Sequence, residues 1–396
     1  MKFLPAVFTV AAVLFMYACT DDDVSPVAPS TSPNDTPVAS RLALQDQLRQ
    51  LGSERVFWTR VFIIDSLEAL PDKDVTFNRL IKNQGDTGNA LRAYYGDAMG
   101  VQLTSLLEEY VRQLSDVIAT IQAGDAATAQ TLVDQWRQQA NLIADFLATS
   151  NSSLNRDQLR ADFRLQSDAT LAQINARIAK DWTGDILAYD TAEERSLSIS
   201  DSITTATATQ YPAKVLEPVQ SAGEQDFHVQ QRRLWQEHVS WERFLIISTV
   251  SGLADLGATN TRLLRNQRDL GDSLKPVIGE AAGNQLTQLL VDHVAGGAST
   301  LANGDTSAAT AVWIANGDQI AALLSATIPS LDASQVQADL RKHLDLTAAE
   351  ASHRVAGEYQ AEIDAFDAAL AEVLDFADLI TAGAATQSGA QSVPPT

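Results

Sequence analysis

The sequence predicts an all-α protein made of two tandem, duplicated helical-bundle domains, and three observations carry that expectation. Leu103, Leu106, Leu107, Tyr110, Leu114, Val117, Ile118 and Ile121 recur at steps of three and four, the spacing of a helix with one buried face. No comparable run alternates with period two, as a half-buried strand would. The chain also repeats itself. At an offset of 183 residues, Trp58, Arg60, Ile63 and Ile64 fall on Trp241, Arg243, Ile246 and Ile247, and Arg79, Asn83, Asp86 and Gly88 recur as Arg262, Asn266, Asp269 and Gly271. Further on the offset is 177, and Trp136, Asp162, Arg164, Arg177, Asp190 and Asp201 return as Trp313, Asp339, Arg341, Arg354, Asp367 and Asp378. A chain of 396 residues with 45% hydrophobic content can supply two ordinary cores.

At the N-terminus, Lys2 precedes an apolar run from Phe3 to Ala18, which is short for a membrane span and suits a secretory signal. Cys19, the only cysteine, closes the run. Residues 1 to 19 thus resemble a bacterial lipoprotein signal, with Cys19 as the lipidated mature N-terminus. A single cysteine excludes a disulfide within the chain. Residues 20 to 40 are rich in Pro, Ser, Thr and Asp and read as a disordered tether. The triplet Asp21, Asp22 and Asp23 resembles the surface-export signal of lipoproteins in the Bacteroidetes. The expected address is the bacterial cell envelope, at the outer membrane or cell surface, with the lipid anchor as the only membrane contact.

Residues 41 to 210 form the first expected bundle, with helices near 41 to 68, 98 to 123, 126 to 149, 156 to 166 and 168 to 205, and a loop with a short helix around 70 to 96. Tyr110 to Gly124 spans 14 positions against 11 from His293 to Gly304, and Gly124 to Trp136 spans 12 against 9 from Gly304 to Trp313. Equal shortening on both sides of a Gly-Asp pair is what an antiparallel helical hairpin requires, so Gly124 and Gly304 are the expected tips. Pro212 and Pro218 mark residues 211 to 225 as a linker. The second bundle is expected over 226 to 381, and 382 to 396 as a disordered tail. Each bundle is expected to fold as a unit and to survive limited proteolysis.

The net charge of -22 excludes nucleic acid and anionic membrane surfaces as electrostatic partners, since both repel an acidic protein. No phosphate-binding Gly-rich loop, serine-nucleophile elbow, H-E-x-x-H or paired C-x-x-C is present. Arg60 and Arg243 sit on otherwise apolar faces, where each needs a carboxylate. Asp190 and Asp367, on the last helix of each repeat, are the expected partners.

The repeats differ most at three histidines. His238, His293 and His343 stand where the first copy has Arg55, Tyr110 and Gln166, and each lies on an apolar stripe of its own helix. Three helices each turning an imidazole inward supply the chemistry of a three-histidine site for a divalent transition metal. Glu242, four residues after His238, and Asp339, four before His343, could add oxygen ligands. A buried hydrogen-bond network fits the same residues, because Arg, Tyr and Gln also hydrogen-bond. Glu350 and His353 have the Glu-x-x-His spacing of di-iron bundles, but that site needs two such pairs and the chain has one.

The stretch carrying Trp235, His238, Trp241 and Arg243, followed by TRLLRNQRDLG and by a histidine after Leu289 and Leu290, resembles a poorly characterised family of exported, all-helical bacterial proteins. Some of its members carry an acetylglutamate kinase label. The resemblance implies the helical fold. It does not imply kinase activity, since amino-acid kinases have an α/β fold with glycine-rich nucleotide loops that this chain lacks. The expected function is a cell-envelope lipoprotein that acts as a binding or interaction module toward an envelope protein or small ligand. The second reading is a metal-binding protein or metal-dependent enzyme using the three-histidine site.

Overall fold

The structure, a computed structural model, describes residues 38–303 and 307–391, with side-chain surroundings over 38–297 and 310–386. Cys19, the signal, most of the tether and the Gly304 tip lie outside the described residues. Among those described, twelve helices follow one another: α1 (Arg41–Leu67), α2 (Lys73–Tyr95), α3 (Asp97–Gln122), α4 (Ala126–Ser150), α5 (Arg156–Ile178), α6 (Trp182–Gln210), α7 (Ala222–Val250), α8 (Leu256–Ile278), α9 (Glu280–Asn303), α10 (Ser307–Thr327), α11 (Ala333–Ala356) and α12 (Tyr359–Gln391). The protein is all-α. Among the described residues the only strands are the two-residue β1 (Ala39–Ser40) and β2 (Val215–Leu216), which pair in parallel and tie the entrance of α1 to the exit of α6. No helix among the described residues is long and apolar enough to cross a membrane.

Within α1–α6 and within α7–α12 each helix packs on its neighbour in sequence, α6 closes onto α1, and α12 closes onto α7, giving two rings of six helices. Local chemistry sets the joints. Ser40, Asp125, Asn155 and Asp181 cap the helices that follow them by accepting a backbone N–H. Gly124 turns between α3 and α4 at φ 74°, so the first hairpin tip is where the repeat arithmetic puts it.

Three sequence expectations need correction. Residues 73 to 95 form a full helix rather than a loop with a short one, and the helical pattern is masked because polar residues share its buried face with Leu80, Leu91 and Tyr94. Thr76, Arg79, Asn83, Gln84 and Gly88 line that face at helical spacing, where an apolar stripe is the usual signal. A Cβ at Gly88 would lie 2.5 Å from the Gly100 carbonyl oxygen, and one at Gly271 would lie 2.9 Å from that of Gly283. This close approach of α2 to α3, and of α8 to α9, explains why both copies keep the glycine. Second, α5 runs unbroken through residue 167, where Ser167 returns its hydroxyl proton to the Phe163 carbonyl. The break comes instead at Lys180, which takes a left-handed φ of 57°. Third, α12 continues past 381 to Gln391, burying Gly383 and Ala384, so the first part of the expected tail is helix.

The buried arginines also find other partners than expected. Arg60 makes a two-pronged pair with Asp185 at 2.8 and 2.9 Å, and Arg243 pairs with Glu350 at 2.9 Å and Glu362 at 3.3 Å. Asp190 and Asp367 instead receive Arg262 and Arg79 from the opposite ring. Asp190 lies five positions beyond Asp185, a turn of roughly 140° about the helix axis, which aims it outward from its own ring.

Pairs between the rings are reciprocal. Arg79–Asp367 mirrors Arg262–Asp190, and Arg354–Asp72 mirrors Arg177–Asp255, both at 2.9 Å. The Arg243 guanidinium lies 5.1 Å over Trp58 while that of Arg60 lies 5.3 Å over Trp241. Phe57 stacks on Phe366 at 4.5 Å, and at the position matching Phe366 in the other ring Tyr189 meets Phe244 at 5.6 Å. The contact therefore has the self-complementary pattern of a two-fold interface.

One position breaks that symmetry. Ser248 donates to Asp255 at 2.8 Å, but its counterpart is Asp65, which is fully buried with neither carboxylate oxygen hydrogen-bonded. Burial, and then the charge of Asp72, push Asp65 up to about 8. An acid raised in the fold binds its proton more tightly there than in the unfolded chain. Its cost is absent below about pH 4, grows as pH rises and is complete above about pH 8. Asp65→Ser, which copies the other ring, is expected to stabilise the protein by about 1–3 kcal/mol at pH 8 and to leave it unchanged at pH 4. Chemical denaturation at the two pH values checks this; equal effects at both would refute the assignment.

Candidate metal centre

Helix α7 carries His238 and Glu242 one turn apart, so both project from one face into the second ring. Helix α9 brings His293 and α11 brings His343 to the same point. One ligand atom from each of the four residues can be chosen so that all lie within 4.8 Å of one another, and all four side chains are buried. The imidazole centroids stand 5.3 to 6.0 Å apart. Glu242 occupies the middle, with its carboxylate oxygens 3.4 Å from His238 Nε2, 3.4 Å from His343 Nε2 and 3.9 Å from His293 Nε2. The three histidines and Glu242 therefore converge as expected, whereas Asp339 does not join them. It accepts from Gln335 at 2.6 Å on the partly exposed flank of α11. The buried stripe of that helix, Val336, Leu340, His343 and Thr347, leaves Asp339 at its edge.

These contacts lie within ion-pair range, yet burial removes the charges. Desolvation drives His238 well below its ordinary value, His293 to about 4 and His343 to about 3, while it lifts Glu242 to about 8 with help from the nearby Glu350. At neutral pH the imidazoles are neutral, the form that ligates metals. Several polar atoms remain without a partner: Glu242 Oε2, His293 Nε2 and both ring nitrogens of His343 are buried and unbonded. A satisfied hydrogen-bond network leaves few such atoms. One positive ion at the centre would engage the atoms that face it.

Outer groups set the ring orientations. Asn316 Oδ1 lies 3.2 Å from His293 Nδ1, and its amide is fixed by donating to the Leu289 carbonyl at 3.0 Å. With Nδ1–H donated to Asn316, His293 presents Nε2 inward. Trp313 packs against the His293 ring at 5.4 Å, and Trp235 sets its edge to His238 at 5.7 Å. Gln267 Nε2 lies 3.2 Å from His238 Nδ1 but also donates to the Leu263 carbonyl and to Asn266 Oδ1. In the first ring Gln84 makes the same two bonds with no histidine nearby. Sequence reasoning missed Asn316, Gln267 and the role of Glu350. Glu350 lies seven residues after His343 on the same stripe, and that spacing was its available signal. His353 is not its partner: it pairs with Glu358 at 2.7 Å on the surface, while Glu350 bonds Arg243. His228 likewise stands apart, 2.8 Å from Asp46.

In the first ring a guanidinium takes the place of this cluster. Arg55 donates to Gln166 at 3.2 Å, Tyr110 shares a hydrogen bond with Ser167 at 2.9 Å and stacks on Trp136, and Thr59 replaces Glu242. One ring thus carries its own fixed cation where the other gathers three imidazoles and an acid. The chain matches no protein-family model, no curated protein and no solved structure, so the reading of this site rests on its own geometry.

Proposed function

We propose that the protein is a metal-binding component of the bacterial cell envelope that holds one divalent transition metal ion on His238, His293, His343 and Glu242. The observation that carries this is the convergence of four buried donors from three helices, with unbonded atoms facing one point. A nitrogen-rich set with one carboxylate suits zinc, whose donors at roughly 2.0–2.1 Å sit about 3.3 Å apart in a tetrahedron. Modest side-chain rotation closes the cluster from 4.8 Å to that spacing. Four protein donors complete such a shell and leave no open position for a substrate, which favours binding over catalysis. Metal analysis of untagged protein after exposure to zinc and dialysis tests the reading. One ion per chain is expected, and a metal-free product would sink it.

The envelope address rests on Lys2, the apolar run and Cys19, and the resemblance to an exported helical family fits it. Cys19→Ala is expected to move the protein from the membrane fraction to the soluble one. Retention in the membrane fraction would count against lipidation.

A further inference from the structure

Seven arginines are buried among the described residues, and six of them, Arg60, Arg79, Arg177, Arg243, Arg262 and Arg354, meet a carboxylate at 3.0 Å or less. Arg55 is the exception. It is 9% exposed, its Nη2 donates only to neutral oxygens, Gln166 Oε1 at 3.2 Å and Ser196 Oγ at 3.3 Å, and its Nε and Nη1 donate to no protein group. Glu193 acts on it electrostatically, but that carboxyl is held by the Ser53 hydroxyl, and burial lifts it to about 7. A guanidinium cannot shed its proton to escape this position, and an anion in contact with it would offset the cost of its burial.

Beside Arg55 lies a cavity of about 30 Å³, lined otherwise by apolar groups that include Leu91, Leu107, Ile143, Phe163 and Ile199. One water needs roughly 10–15 Å³ on this measure, so the space admits an ion of a few heavy atoms. At the matching place in the second ring, Trp235 stands where the first ring has Gly52, and its indole packs on Phe376, the counterpart of Ile199. The polar neighbours Thr87 and Ser200 spend their hydroxyl protons on the carbonyls of Asn83 and Leu48, which leaves Arg55 as the donor facing the cavity.

We propose that the first ring binds a small monovalent anion of the carboxylate class, formate or acetate in size, on Arg55 within this cavity. This inference does not depend on the metal reading, and its test is run without metal.

Full-chain protein in metal-free buffer is titrated with sodium formate and, separately, with sodium gluconate at equal ionic strength. Gluconate is too large for the cavity. A saturable rise of the unfolding midpoint by roughly 2–4 °C in formate alone is expected, and Arg55→Met should respond to neither salt. Identical curves in formate and gluconate, or a variant that still answers to formate, would overturn the proposal. If Arg55→Met does not fold, crystals of the parent soaked in bromide decide. Anomalous density within hydrogen-bonding distance of Arg55 supports the site, and its absence there refutes it.

Discussion

His343→Gln is expected to lower zinc affinity at least 100-fold while the protein stays folded. Even the loss of an outer partner that merely orients a ligand costs about 10–100-fold, and this change removes one of four donors outright. The fold should tolerate it, because Gln166 occupies the matching place in the first ring, buried and hydrogen-bonded to Arg55. In the parent, zinc at 100 times its dissociation constant should add about 2.7 kcal/mol to stability. In the variant that gain should fall to about 0.4 kcal/mol or less at the same concentration. Competition with a chromogenic chelator measures the affinity, and denaturant unfolding with and without zinc measures the linkage. A variant that keeps the parent's affinity would show that His343 is only a packed side chain, and Glu242→Gln offers a second check on the central acid.

Arg354→Met should cost about 3–5 kcal/mol, the usual penalty for removing one member of a buried ion pair. Arg354 Nη1 bonds Asp72 of the first ring at 2.9 Å and Glu362 of the second at 3.0 Å, so its loss strands the buried Asp72 and leaves Glu362 to Arg243. Arg177→Met, which leaves Asp255 with the Ser248 hydroxyl and Asp185 with Arg60 in the reciprocal arrangement, should cost a similar amount. Because each pair joins the rings, either substitution is expected to weaken both rings together and to move one cooperative transition. Calorimetry checks this directly. Two transitions, of which only one shifts, would show that the rings are stable apart, as the linker alone suggests.

The helices were legible where their buried faces are apolar and hidden where they are polar. Residues 103 to 121 announce α3 through leucine, valine and isoleucine, whereas α2 turns Arg79, Asn83 and Gln84 inward and so escapes a hydrophobic pattern. The candidate site was legible to an unusual degree for the same reason in reverse. Its histidines stand out because they interrupt apolar stripes, and the first copy supplies a contrast at every position. Glu242 could be picked out because one helical turn joins it to His238. Asp339 failed the same test because that spacing does not say on which side of the stripe a residue falls.

What the sequence determined by itself was the helical class, the internal match of its two halves as sequence, the hairpin turn at Gly124 and the histidines as the point where the matched segments differ. All of these depend on neighbours within a few turns or on comparison of the chain with itself. Only the tertiary structure decided which carboxylate meets which arginine, that Asp65 lies buried where the other ring has a serine, and that Arg55, among the buried arginines described, makes no contact with a carboxylate. Such pairings join residues as far apart as Arg79 and Asp367. They are set by how each ring closes and how the two meet, and a local pattern of three and four residues carries no information about which face of a distant helix will arrive opposite.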